Sequence, residues 1–173
     1  ERTTALQNTL LFFELEWLAV DDSAAARLIA NPELAEYRHY LTKERAYKPH
    51  TLSEPEERVI NEKDVTGSSA WGTLFTEITS ALTFPIERDG ATKDLTLSET
   101  LALYHEPERD LRRKAHDALF DVLERNEHVL TFTYGTLILD HCTMDRLRGY
   151  PDPMAARHLS NELDANWVAR MME

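Results

Sequence analysis

The sequence predicts a mainly α-helical chain: a bundle-like helical body with one small β-hairpin near residues 83–96. Three observations predict it. Only five glycines stand among many Ala, Leu, Glu and Arg residues, a composition that favours helix. Apolar residues recur at spacings of three and four along most of the chain. Capping signals punctuate those stretches at regular intervals, and the helical period lapses only around 83–96.

Leu6, Leu10, Phe13, Trp17 and Val20 define the first helix. Asp21 and Asp22 end it and can cap a short helix from Ala24 to Ile29. Asn31 caps the next, with Pro32 in the favoured first position and Leu34, Tyr37 and Leu41 along it, to about Tyr47. Ser53, Pro55 and Glu56 read as a cap, a first-turn proline and a capping box, and Gly67 stops that helix. Ser68 or Ser69 opens a helix through Trp71, Leu74, Phe75, Ile78 and Leu82, with Trp71 expected as a core anchor.

Asp89-Gly90 between two short extended stretches predicts the hairpin turn. Ser98 is the expected cap of the helix after it. From Pro107 a helical pattern runs to about Leu147 through Leu111, Ala115, Leu119, Val122, Leu130, Leu137 and Ile138. So long a run predicts a break, at Asn126 or Gly135. Asp152-Pro153 and Asp164 each open one more short helix.

Composition narrows the function. The formal net charge of −12 repels phosphate backbones and anionic lipid, so neither a nucleic-acid nor a membrane partner is expected. No apolar run approaches the ~18 residues of a membrane span, and no secretory leader is visible. The single cysteine, Cys142, excludes an internal disulfide and suits a reducing, cytoplasmic setting. It is expected to be buried. Both ends cut through apolar-rich helical patterns, which predicts a piece of a larger protein.

Chemistry-bearing residues are sparse. No two of the seven histidines stand four apart, so no helical pair of His ligands exists. His141 with Asp145, and His158 with Glu162, have i,i+4 spacing and read as surface pairs or caps. No catalytic residue and no metal ligand is assigned. Arg109, Arg112 and Arg113 share a helical face, with Arg113 and Asp117 at pair spacing. They read as a solvated face or as a contact to a peptide carboxylate or a second lobe. Arg148-Gly149-Tyr150 reads equally as a glycine-capped helix end with a packed tyrosine, or as a peptide-contacting surface.

An ordered set of motifs points to one family. Glu108-Arg-Asp-Leu-Arg-Arg-Lys-Ala115 closely resembles a segment of oligoendopeptidase F, in the thimet-type family of zinc metallopeptidases. Pro32-Glu-Leu-Ala-Glu-Tyr-Arg-His-Tyr-Leu41 and Pro49-His-Thr-Leu-Ser-Glu-Pro-Glu-Glu57 resemble its amino-terminal lobe, and Gly67-Ser-Ser-Ala-Trp71 with Leu74-Phe75 resembles the next stretch of that lobe. Asp145-Arg-Leu-Arg-Gly-Tyr150 is similar to the start of its catalytic lobe. The resemblance implies two helical lobes around a substrate channel, and zinc on an HExxH helix whose Glu is the general base. It divides this chain into amino-terminal lobe, 1–130, and first helices of a truncated catalytic lobe, 131–173.

The HExxH motif does not carry over. After His105 come Glu106, Pro107, Glu108 and Arg109, with arginine where the second histidine belongs and a proline that breaks the helix. The expectation is a non-catalytic fragment, inactive alone, of a zinc peptidase acting on short peptides. Zinc would belong to the intact enzyme, and none is expected in this chain. Its partners would be the remaining catalytic lobe, peptide substrate and, for the fragment, a second copy of itself. The alternative is a free-standing helical interaction module without catalysis.

Overall fold

The structure, a computed structural model, describes residues 2–88 and 90–173. It is helical apart from one hairpin. Packing divides the chain into two units: residues 1–67 with 139–173, and residues 68–138.

The first unit opens with α1 (Arg2–Ala19) and α2 (Asp22–Ile29). Asp21 caps α2 by accepting the Ala24 N–H at 2.9 Å. A 3₁₀ segment (Pro32–Tyr37), capped by Asn31, leads into α3 (Arg38–Ala46). The single helix expected from Pro32 to Tyr47 is therefore split, its first turns wound to the tighter 3₁₀ pitch. α4 (Glu54–Asp64) starts at Ser53, whose backbone N–H donates to the Glu56 carboxylate at 2.9 Å.

Trp17, Leu18, Ala25 and Leu41 form the apolar core of this unit. The Trp17 indole N–H donates to the Leu41 carbonyl at 3.0 Å. The Arg45 guanidinium lies 5.2 Å from the centre of the Trp17 ring and donates to the Trp17 and Val20 carbonyls at 2.9 Å each. It also pairs with Asp22. Arg45 thus closes the carboxy-terminal end of α1, where carbonyls have no helical donor.

The second unit holds α5 (Ser68–Ala81), β1 (Phe84–Arg88), β2 (Ala91–Leu95), α6 (Leu97–Ala102) and α7 (Arg109–Arg125). The two strands are antiparallel, with Phe84 opposite Leu95 and Ile86 opposite Lys93. Gly90, at φ 76°, supplies the left-handed turn; Asp89 of the expected Asp-Gly turn lies outside the described residues. Period-two alternation turns Phe84 and Ile86 inward while Pro85 and Glu87 stay exposed. Phe84 packs on Leu119 and Val122, and Ile86 on Leu111 and Ala115, so the hairpin lies across the apolar stripe of α7.

Two expectations are corrected by this unit, and a third, with two alternatives, is decided. The cap of α6 is Thr96, not Ser98: the Thr96 N–H donates to Glu99 at 2.8 Å, and Thr96 Oγ1 accepts the Glu99 N–H at 3.3 Å. Only the Thr96–Glu99 spacing satisfies both donors. Trp71 is half-buried, its ring meeting Phe132 edge-on at 5.6 Å, and α5 has no buried residue, with Leu74 and Phe75 exposed. The buried tryptophan is Trp17. The long run breaks at Asn126, whose side-chain amide donates to the Val122 carbonyl at 2.9 Å and ends α7; Gly135 lies inside α8 (Glu127–Arg148).

α8 runs from the second unit into the first, which is completed by α9 (Ala155–Ser160) and α10 (Ala165–Met172). Asp164 caps α10 by accepting the Asn166 N–H at 2.7 Å. Cys142 is exposed, which corrects the expectation of a buried thiol. It lies about two and a half turns from the buried Thr133, on the opposite side of the helix.

Candidate functional site

The polar centre of the first unit is a largely buried ion pair between residues far apart in sequence. Arg148, at the end of α8, donates through Nη1 and Nη2 to the two carboxylate oxygens of Glu57 on α4, at 2.8 Å each. Glu57 is buried, and it also accepts the Leu52 N–H at 2.9 Å. Burial pushes the Glu57 carboxyl up, but the hydrogen bonds from Arg148 and from Leu52 outweigh it and hold it below the usual carboxylate range. The Arg148 guanidinium is raised in turn, first by its bond to Glu57.

His50 and Arg148 are joined twice more. Arg148 Nη1 donates to the His50 carbonyl at 3.1 Å, and His50 Nδ1 lies 3.0 Å from the Arg148 carbonyl. That carbonyl can only accept, so Nδ1 carries the proton. The His50 ring stacks on Tyr150 at 3.8 Å between centroids and 18° between planes. The Tyr150 hydroxyl is shifted up, mainly by burial and then by Tyr47.

The ion pair forms one side of a cavity of about 430 Å³, also lined by Leu11, Glu14, Leu18, Glu44 and Tyr47. Glu14 is shifted up, first by partial burial and then by the charges of Glu44 and Glu57.

The candidates from the sequence divide between the units. Arg148 and Tyr150 come together in the cluster with Glu57 and His50. Both terminal nitrogens of Arg148 are engaged by Glu57, and Nη1 also by His50. Arg109, Arg112 and Arg113 stand on α7. Arg109 is exposed. Arg112 donates to the carbonyls of Glu106 and Pro107 at 2.7 and 2.8 Å and so braces the segment leading into its own helix. Arg113 pairs with Asp110 at 3.1 Å, and Asp117, at pair spacing from Arg113, sits 3.4 Å from His116. His141 and Asp145 do pair, at 3.2 Å. Glu162 turns away from the expected His158 toward His39 and Lys43.

Sequence reasoning alone does not single out Glu57, His50 or Arg45. Glu57 directly succeeds the capping-box glutamate Glu56. Among the described residues no three His, Cys, Asp or Glu side chains converge as a metal site would require. The donor sets among the described residues therefore do not fit a zinc ion. Among the described residues no helix is long and apolar enough to cross a membrane.

Comparison with known proteins agrees with the motifs. The family model described as oligopeptidase F matches residues 16–84. Group B oligopeptidase PepB of Streptococcus agalactiae is 27% identical over 165 residues, 92% of this chain and 26% of that protein. Oligopeptidase PepF of Bacillus subtilis is 24% identical over 147 residues, 83% of this chain and 22% of that protein. The fold matches the crystal structure of oligoendopeptidase-F from Enterococcus faecium with a TM-score of 0.78, over 93% of this chain and 32% of that one. The chain thus spans about a quarter of the length of the curated relatives it matches. Family model, relatives and fold agree that this chain is similar to a segment of the oligopeptidases they describe.

Proposed function

We propose that the chain is the non-catalytic, amino-terminal part of an oligoendopeptidase F-like zinc metallopeptidase that hydrolyses short peptides. Its helices wall the substrate channel. Zinc and the general base come from residues outside this segment. The observation that carries the reading is the ordered likeness to oligopeptidases along nearly the whole chain, combined with the lack of an HExxH sequence. Residues 131–173 begin the catalytic lobe, and the protein works in the cytoplasm. Arg109 and Tyr150 are the candidates for peptide or interlobe contact, Arg109 being exposed and Tyr150 standing at the end of α8.

The remaining catalytic lobe is the natural partner of the exposed apolar side chains. Phe132 is 60% and Trp167 70% exposed, more than isolated apolar residues of a finished surface need. Without that lobe the chain self-associates through its carboxy-terminal helices. The test compares the 173-residue chain with the product of the full reading frame. The chain alone should hold no stoichiometric zinc, cleave no quenched peptide, and gain mass with concentration in light scattering. The longer product should hold one zinc and cleave. Peptide turnover by the purified chain alone, or a full reading frame without HExxH, would overturn the reading.

A further inference from the structure

Two helices of the first unit end in the same motif with different residues at its critical position. At the end of α8 the Asp145 carbonyl accepts the Tyr150 N–H at 2.9 Å, the Arg146 carbonyl accepts the Gly149 N–H at 3.4 Å, and Gly149 has φ 68°. At the end of α9 the His158 carbonyl accepts the Leu163 N–H at 2.9 Å, the Leu159 carbonyl accepts the Glu162 N–H at 3.1 Å, and Glu162 has φ 55°. Both are Schellman caps, in which the left-handed residue is ordinarily glycine because any Cβ is crowded there. Glu162 is the one non-glycine residue with positive φ among those described.

The side chain at that strained position has two basic partners on another helix. Glu162 Oε2 lies 3.0 Å from His39 Nε2, and Oε1 lies 3.1 Å from Lys43 Nζ. His39 and Lys43 are four apart on α3 and so share a face. Beside them is a cavity of about 320 Å³ whose walls include Thr42, His158, Leu159 and Leu163. Lys43 holds the Glu162 carboxyl below its usual range, and Glu162 holds the Lys43 ammonium above its own.

We infer that Glu162 is a latch: a carboxylate kept at a glycine position so that its two oxygens hold the α9–α10 segment on α3. A glycine would make the better cap but would remove both contacts of Glu162 to α3. The groups acting on the carboxylate are His39 and Lys43 from α3, with Tyr47 and Glu44 acting on Lys43 in turn. Removing the charge on Glu162 opens the latch.

Amide hydrogen exchange of residues 155–172 in the 173-residue chain tests this, with far-UV circular dichroism confirming that each variant folds. E162Q keeps the strained backbone and removes only the charge. It should exchange about two- to fivefold faster than the parent at low salt, the range expected for an exposed ion pair. E162G should exchange faster as well, although its backbone is relaxed. E162K should open the segment, and K43E in the same chain should restore protection. Unchanged exchange in E162Q, protection in E162G equal to or above the parent, or failure of K43E to rescue E162K would each overturn the latch.

Discussion

Arg148 and Glu57 meet through two parallel hydrogen bonds of 2.8 Å across 91 residues of sequence. The side chains are only 23% and 9% exposed. A bidentate pair in such surroundings fixes geometry as well as energy, because few other arrangements satisfy both groups. It therefore ties the carboxy-terminal end of α8 to the amino-terminal half of α4.

Breaking one side of this pair should destabilise strongly, since the other charge is left buried without a partner. Glu57→Gln and Arg148→Met should each cost about 3 kcal/mol in denaturant titrations. The double variant Glu57→Leu with Arg148→Met should recover much of that loss, because it leaves no orphaned charge. Additive losses in the double variant would contradict the pairing.

Acid should dismantle the same contact. Glu57 has a depressed folded-state pKa, so its contribution is fully present above the unfolded carboxylate value of about 4.3. It is lost as pH falls through the lower folded value. The stability difference between the parent and Glu57→Gln should therefore be constant from pH 5 to 8 and shrink below pH 4. A difference independent of pH down to pH 2 would contradict this.

The hairpin depends on Phe84, which is fully buried against Leu119 and Val122. Phe84→Ala should cost about 3–5 kcal/mol. Trp71→Ala should cost less, about 1–2 kcal/mol, because half-buried Trp71 loses less burial and little beyond its edge contact with Phe132. Reversal of this ranking in thermal melts would show that α5, rather than the hairpin, anchors the second unit.

The cap of α6 gives a sharper local test. Thr96→Ala should destabilise by about 1 kcal/mol, and Ser98→Ala by close to nothing. Equal effects of the two substitutions would mean that the Thr96–Glu99 box contributes little.

Much of this protein is legible in its residues. Helix starts at Asp21, Asn31, Ser53 and Asp164 are local events, set by a side chain and an amide two or three residues away, so sequence determined them. The hairpin is local too, with β-compatible residues on either side of a glycine turn. The likeness to oligoendopeptidase F needs only the order of motifs. Tertiary structure decided whatever depends on distant neighbours. Arg148 and Tyr150 are visible as an unusual helix end, but nothing local names Glu57 and His50, nearly a hundred residues earlier, as their partners. Burial of Trp17 rather than Trp71, and exposure of Cys142, depend on which face of each helix meets another. Glu162 shows the same division: its spacing to His158 promises a pair, yet the left-handed cap turns the carboxylate to α3. Backbone capping acts over a few residues and is written in short patterns; partner choice acts through space, where only the folded chain brings the groups together.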